Sequence, residues 1–237
     1  MSETWSAPRE VLVVDAAGFA AQAAAVIGAA IRRAVEVRGR CRLVLAGGRT
    51  PAAVYRVLAA DVTVPWAQVV AFIGDERCVP PDHAESNYRM IAETLLHVVP
   101  VPEDQIFRLR GELGADAAAA EYDAMLAVLA GDPKFDIVLS GVGADGHTAS
   151  LFPGDPRVGT AEGWAIAAVA PPPFAISERV GLTLRALNAT RLQLVLCTAE
   201  DKKPVRRRIL GGEPDAGALP AALLSGVERT LWIVDPD

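Results

Sequence analysis

The feature that most constrains this chain is a repeated alternation of short apolar runs with longer stretches whose apolar residues recur at helical spacing. Residues 11–14, 42–46, 69–73 and 135–139 read as strands buried on both faces. Between them, residues 19–37 carry Phe19, Val26, Ile27, Ile31 and Val35 as a helical stripe, and Pro51 opens a second helix with Val54, Val57 and Leu58. Residues 86–96, with Ser86 as N-cap, and residues 115–129 supply two more helices. Such alternation over the first two-thirds of the chain predicts an α/β fold, a mostly parallel sheet with helices on both faces. Further strands are expected at 164–169, 180–184, 192–197 and 231–234, and a last helix at about 204–210. No repeat or low-complexity linker interrupts the pattern, and Pro171-Pro172-Pro173 reads as a rigid surface turn. Residues 1–237 are therefore expected to form a single domain.

Composition narrows the function. The chain is 51% hydrophobic, enough for a sizeable core, and its net charge of −6 argues against nucleic acid or an anionic membrane as partner. A small anionic substrate remains compatible, because a local basic pocket can oppose the overall sign. Cys41, Cys78 and Cys197 are widely spaced and form no CxxC pair, so they are expected to be free thiols in a reducing compartment. Residues 1–10 are polar and lack the apolar stretch of a signal peptide. The longest apolar run, 23–31, is far short of the ~20 residues a membrane span needs. A cytoplasmic protein is expected and, with no long apolar stretch left for an interface, a monomer.

Polar chemistry gathers where strands end. The second strand runs into Gly47-Gly48-Arg49-Thr50-Pro51, the third into Gly74-Asp75-Glu76-Arg77, and the strand at 135–139 into Gly141-Val142-Gly143-Ala144-Asp145-Gly146-His147-Thr148. In an open parallel sheet, ligands bind outside the carboxyl ends of the strands, so these loops would share one edge. The glycine loop reads either as a phosphate cradle before a helix N-terminus, aided by Thr50, or as a tight turn that needs glycine. The Gly141 to Gly146 stretch matches GxGxxG, but Pro153-Gly154 follows too soon for the long helix of a dinucleotide site, so NAD is excluded. His147 alone among the three histidines follows a glycine-rich strand end, where an imidazole suits proton transfer near neutrality. Arg77, Arg179 and Lys202 are candidate contacts for a phosphate, whereas Arg206, Arg207 and Arg208 are expected to coat the solvent face of the last helix. The sequence holds no GxSxG elbow, no HExxH and no zinc-ligand spacing, so hydrolysis without a covalent nucleophile or metal is the simplest scheme.

Together these motifs, with Val79-Pro80, Ser86-Asn87-Tyr88, Leu151-Phe152-Pro153-Gly154, Ala186-Leu187-Asn188 and Cys197-Thr198, resemble the glucosamine-6-phosphate isomerase/6-phosphogluconolactonase family over nearly the whole chain. The resemblance implies a modified Rossmann-like sheet of the sugar-phosphate isomerase type. It also implies hydrolysis of 6-phosphoglucono-1,5-lactone without metal or nucleotide. On that reading His147 is the general base, and Asp145 or Asp75 orients it or holds sugar hydroxyls. Gly47, Gly48, Thr50, Arg179 and Lys202 hold the phosphate, with Arg77 near it or near the carbonyl. Arg49 stands where the family often has serine, and is expected to serve the phosphate in its place. The deaminase branch continues after its Asp-Gly-His loop with a further catalytic acid; here Thr148 to Pro153 contains no carboxylate. A third reading is a sugar-phosphate sensor without catalysis.

Overall fold

The computed structural model of the chain describes residues 9–213 and 215–237. Residues 1–8, most of the polar opening at 1–10, lie outside them. Chain order is β1 (Arg9–Val13), α1 (Phe19–Arg38), β2 (Cys41–Leu45), α2 (Arg49–Leu58), β3 (Val69–Ile73), β4 (Asp75–Arg77), α3 (Asn87–Ile91) and β5 (Ile106–Phe107). There follow α4 (Ala115–Ala127), β6 (Phe135–Gly141), β7 (Ala165–Val169), β8 (Glu178–Leu182), α5 (Leu184–Asn188), β9 (Thr190–Cys197), α6 (Lys203–Gly211) and β10 (Arg229–Val234).

Seven strands form a wholly parallel sheet in the order β1-β10-β9-β6-β2-β3-β5. Its apolar runs divide between two cores with the period of two that a pleated strand imposes. Leu43, Leu45, Ile137, Leu139, Leu194 and Leu196 face α1 and α2. Val44, Val138, Val195 and Cys197 face the opposite side, with α4, α6 and a second sheet. The chain winds outward from β2 through β3 to β5, returns to β6, and winds the other way through β9 to β10. The β2–β6 boundary is therefore the topological switch point, where loops diverge and leave a crevice.

Four features depart from the sequence reading. Asp75-Glu76-Arg77 is a strand, β4, which pairs antiparallel with β8, itself antiparallel to β7. The strand expected to reach residue 184 stops at Leu182, because Thr183 turns the chain and accepts the Ala186 N–H to cap α5. Arg206 is buried, not solvent-coating: its guanidinium pairs with Asp235 and Asp237, some thirty residues on, so no local pattern announced it. Burial lowers its pKa, but these hydrogen bonds outweigh that and raise it. The helix read at 86–96 is α-helical only to Ile91 and widens into a π-turn to Leu96. Ser86 caps it as expected. Within the described residues no helix is long and apolar enough to cross a membrane.

Candidate active site

At the carboxyl ends of the parallel strands lies a cavity of about 630 Å³, within the range of small-molecule sites. Each residue singled out by the sequence except Asp145 lines it: Gly47, Gly48, Arg49, Thr50, Asp75, Arg77, His147, Arg179 and Lys202. Asp145 sits directly behind His147.

The His147 loop is built to present an imidazole. Gly143 N–H donates to the His147 carbonyl at 2.9 Å, Gly146 N–H donates to the Gly143 carbonyl at 2.9 Å, and Thr148 Oγ1 ties the loop to the end of β6 through Gly141 O at 2.8 Å. Gly146 takes φ +88°, open to glycine at little cost. A Cβ at Gly143 would overlap the imidazole ring, so that glycine is the floor on which His147 lies. Asp145 Oδ1 lies 2.5 Å from His147 Nδ1 and also accepts the His147 backbone N–H at 3.1 Å. Partial burial raises the Asp145 pKa, but the His147 hydrogen bonds and charge outweigh it and hold the carboxyl below its ordinary range. An ionised Asp145 requires Nδ1 to be the donor, which leaves Nε2 as the basic nitrogen. Of Asp75 and Asp145, Asp145 alone hydrogen-bonds the ring.

Asp75 is engaged elsewhere. It is 9% exposed, and its carboxylate accepts Ser150 Oγ at 2.8 Å and Asn87 Nδ2 at 3.1 Å. Asn87 also presses on Gly47 so closely that a Cβ there would overlap its amide. Gly47 is therefore needed for a side-chain contact, in addition to any ligand. Glu76 anchors this corner: its two carboxylate oxygens accept Ser86 Oγ and the N–H groups of Arg77, Asn87 and Tyr88, all within 2.7–2.9 Å. Burial pushes its pKa up against the pull of those donors. Asn87 and Ser150 were not singled out as site residues, since their work lies in contacts between distant segments. Tyr55 carries no sequence mark either; its hydroxyl clamps the Ala46 N–H and carbonyl, both at 2.9 Å, at the end of β2.

Arg77 and Arg179 face one another across the β4–β8 pairing. Arg179 is 7% exposed; its Nε donates to Ile176 O at 2.9 Å, and Arg77 Nη1 donates to Glu85 O. Among the described residues neither has a carboxylate partner, and Arg77 Nε is buried with none at all. Burial and then the adjacent Arg77 charge lower the Arg179 pKa, outweighing the nearby Asp75, Glu76 and Glu85 carboxylates. Two adjacent guanidiniums with only carbonyl partners are the electrostatic signature of a site for an anion. Opposite them, Gly48 at φ +105° opens α2, whose first turn carries Arg49 and Thr50 and no acid. Lys202 caps α6. Before it, Ala199 takes φ +109°, a region nearly confined to glycine, so the backbone is strained where β9 enters the cavity wall.

Comparison with known proteins follows the same line. The family model for glucosamine-6-phosphate isomerases/6-phosphogluconolactonase matches residues 14–232. The 6-phosphogluconolactonase of Mycobacterium tuberculosis is 37% identical over 221 residues, covering 88% of this chain and 87% of the relative. The human 6-phosphogluconolactonase is 36% identical over 226 residues, with 88% and 87% covered. The crystal structure of 6-phosphogluconolactonase from Thermotoga maritima superposes with a TM-score of 0.86 at 30% identity, covering 97% of this chain and all of that one. A monomeric glucosamine-6-phosphate deaminase, 18% identical with a TM-score of 0.79, shares the fold.

Proposed function

Since the chain belongs to the glucosamine-6-phosphate isomerase/6-phosphogluconolactonase family, we propose that it hydrolyses 6-phospho-D-glucono-1,5-lactone to 6-phospho-D-gluconate, with His147 as general base and no metal. The observation that carries the reading is the Asp145–His147 pair on one cavity that also holds Arg77 and Arg179, neither of them in an ion pair among the described residues. His147 Nε2 takes a proton from water as the water oxygen attacks the lactone carbonyl. The tetrahedral oxyanion collapses with cleavage of the bond from C1 to the ring oxygen. The imidazolium returns its proton to that oxygen, and the new carboxylic acid loses one to solvent. Asp145 holds the ring and offsets its positive charge between the two transfers. Arg179, Lys202, the Gly47–Gly48 amides and Thr50 hold the phosphate, with Arg49 at the rim. Arg77, beside Arg179, serves the phosphate or the carbonyl oxygen. Asp75, already satisfied by Asn87 and Ser150, fixes the cavity floor and offers a carboxylate oxygen to sugar hydroxyls.

The deaminase alternative requires a further acid after the histidine. The first carboxylate to follow, Asp155, is bound in a two-point ion pair with Arg157 at 2.7 and 3.0 Å. Generating the lactone in situ and following it by NMR tests the proposal. Wild type is expected to clear it far faster than spontaneous hydrolysis, still doing so in EDTA. His147→Ala should lose about 10²–10⁴-fold in kcat. A variant at wild-type speed removes the base assignment; wild type at the spontaneous rate removes the lactonase reading, and ammonia release from glucosamine 6-phosphate would replace it.

A further inference from the structure

Leaving β7, the chain turns through Pro171, Pro172 and Pro173 before returning as β8. Ala170 N–H donates to Ser177 O at 2.8 Å to close the base of this turn, and Phe174 N–H donates to Pro171 O at 3.3 Å to fold its tip back. Phe174 is thereby set in the cavity wall, with 39% of its surface exposed. Its ring meets the His147 ring edge-on, centroids 5.6 Å apart at 86°, and lies 5.7 Å from Phe152. The Arg179 guanidinium carbon stands 5.5 Å from the same ring's centroid. Arg179 Nε is tied to Ile176 O, in the same turn, so one short segment governs the guanidinium through both backbone and side chain.

We propose that Phe174 is a positioning residue that gives the enzyme its preference for a phosphorylated substrate. This rests on the phosphate role assigned to Arg179 above. An aromatic ring attracts a cation, and a guanidinium already held by it loses less side-chain freedom when an anion binds. The imidazole, by contrast, is held by Asp145 and by its own loop, so the edge-on contact leaves Phe174 to act chiefly through Arg179. No sequence motif marks the residue, because its contacts come from the segment after β6 and from Arg179 on β8.

The test compares wild type, Phe174→Leu, Phe174→Tyr, Arg179→Ala and the Phe174→Leu/Arg179→Ala double variant. Each is assayed on 6-phosphogluconolactone and on the unphosphorylated glucono-1,5-lactone. Phe174→Leu is expected to lose about 3- to 30-fold in kcat/KM on the phosphorylated lactone, chiefly through KM, and less on the other. Phe174→Tyr should restore it, and the leucine should cost nothing further once Arg179 is alanine. Equal losses on both lactones, or independent effects of the two substitutions, would overturn the proposal. Should wild type hydrolyse neither lactone, the parent reading fails on its own. Binding of 6-phosphogluconate followed by phosphorus NMR then decides: weaker binding to Phe174→Leu supports the role and unchanged binding refutes it.

Discussion

Gly143 carries no side chain because the His147 imidazole occupies the space a Cβ would need. Gly143→Ala is therefore expected to push the ring off Asp145 and lower kcat by about 10²–10⁴-fold, as removing the proposed base would. Circular dichroism and Tm should change little, since the loop lies at the rim; a wild-type kcat would count against this packing. Asp145 offers a second check. Its folded pKa is depressed, so its contribution to stability is present above the unfolded value of about 3.9 and is lost as pH falls through the lower folded value. Carbon NMR should place its titration midpoint below about 3.9, and a midpoint at or above that would contradict the ionised pair. At this scale the sequence named His147 and Asp145 from their glycine-rich setting. Asn87, Ser150 and Phe174 carry no such mark, because their partners are 12, 75 and 27 residues away.

Between elements, the opposite end of the central strands is fastened by Asp136. Its carboxylate accepts Arg38 Nε at 2.6 Å and the Arg42 backbone N–H at 2.8 Å, joining β6 to the end of α1 and the start of β2. Asparagine at 136 would turn an amide donor against one of those donors. Asp136→Asn is expected to lower the unfolding free energy by about 1–3 kcal/mol, discounted because Arg38 keeps contact with water. Urea titration would measure this, and kcat should stay at the wild-type value because the site lies at the other end of the sheet. Unchanged stability would show that the contact contributes nothing. The parallel strands themselves were legible because burial on both faces writes a continuous apolar run. The second sheet was not: β4 is three polar residues whose strand geometry comes from pairing with β8, a hundred positions later.

Over the whole molecule, both edges of the parallel sheet are poor templates for another chain. β5 contributes two residues, and β1 opens with Arg9 and Glu10, the latter in an ion pair with Arg229. A monomer is the expected state, and light scattering at assay concentration should return 24.9 kDa; twice that mass would refute it. The sequence by itself determined the α/β class and the set of strand-end loops that line the cavity. Period, burial and glycine are local demands, each written within a few residues. What only the tertiary structure decided is which of two aspartates meets the imidazole, that Arg206 is buried, and that Arg77 and Arg179 stand side by side without a carboxylate. Those outcomes depend on sheet order and antiparallel register. Such pairings between residues far apart in the chain are fixed by where packing brings them, and no local spacing records that.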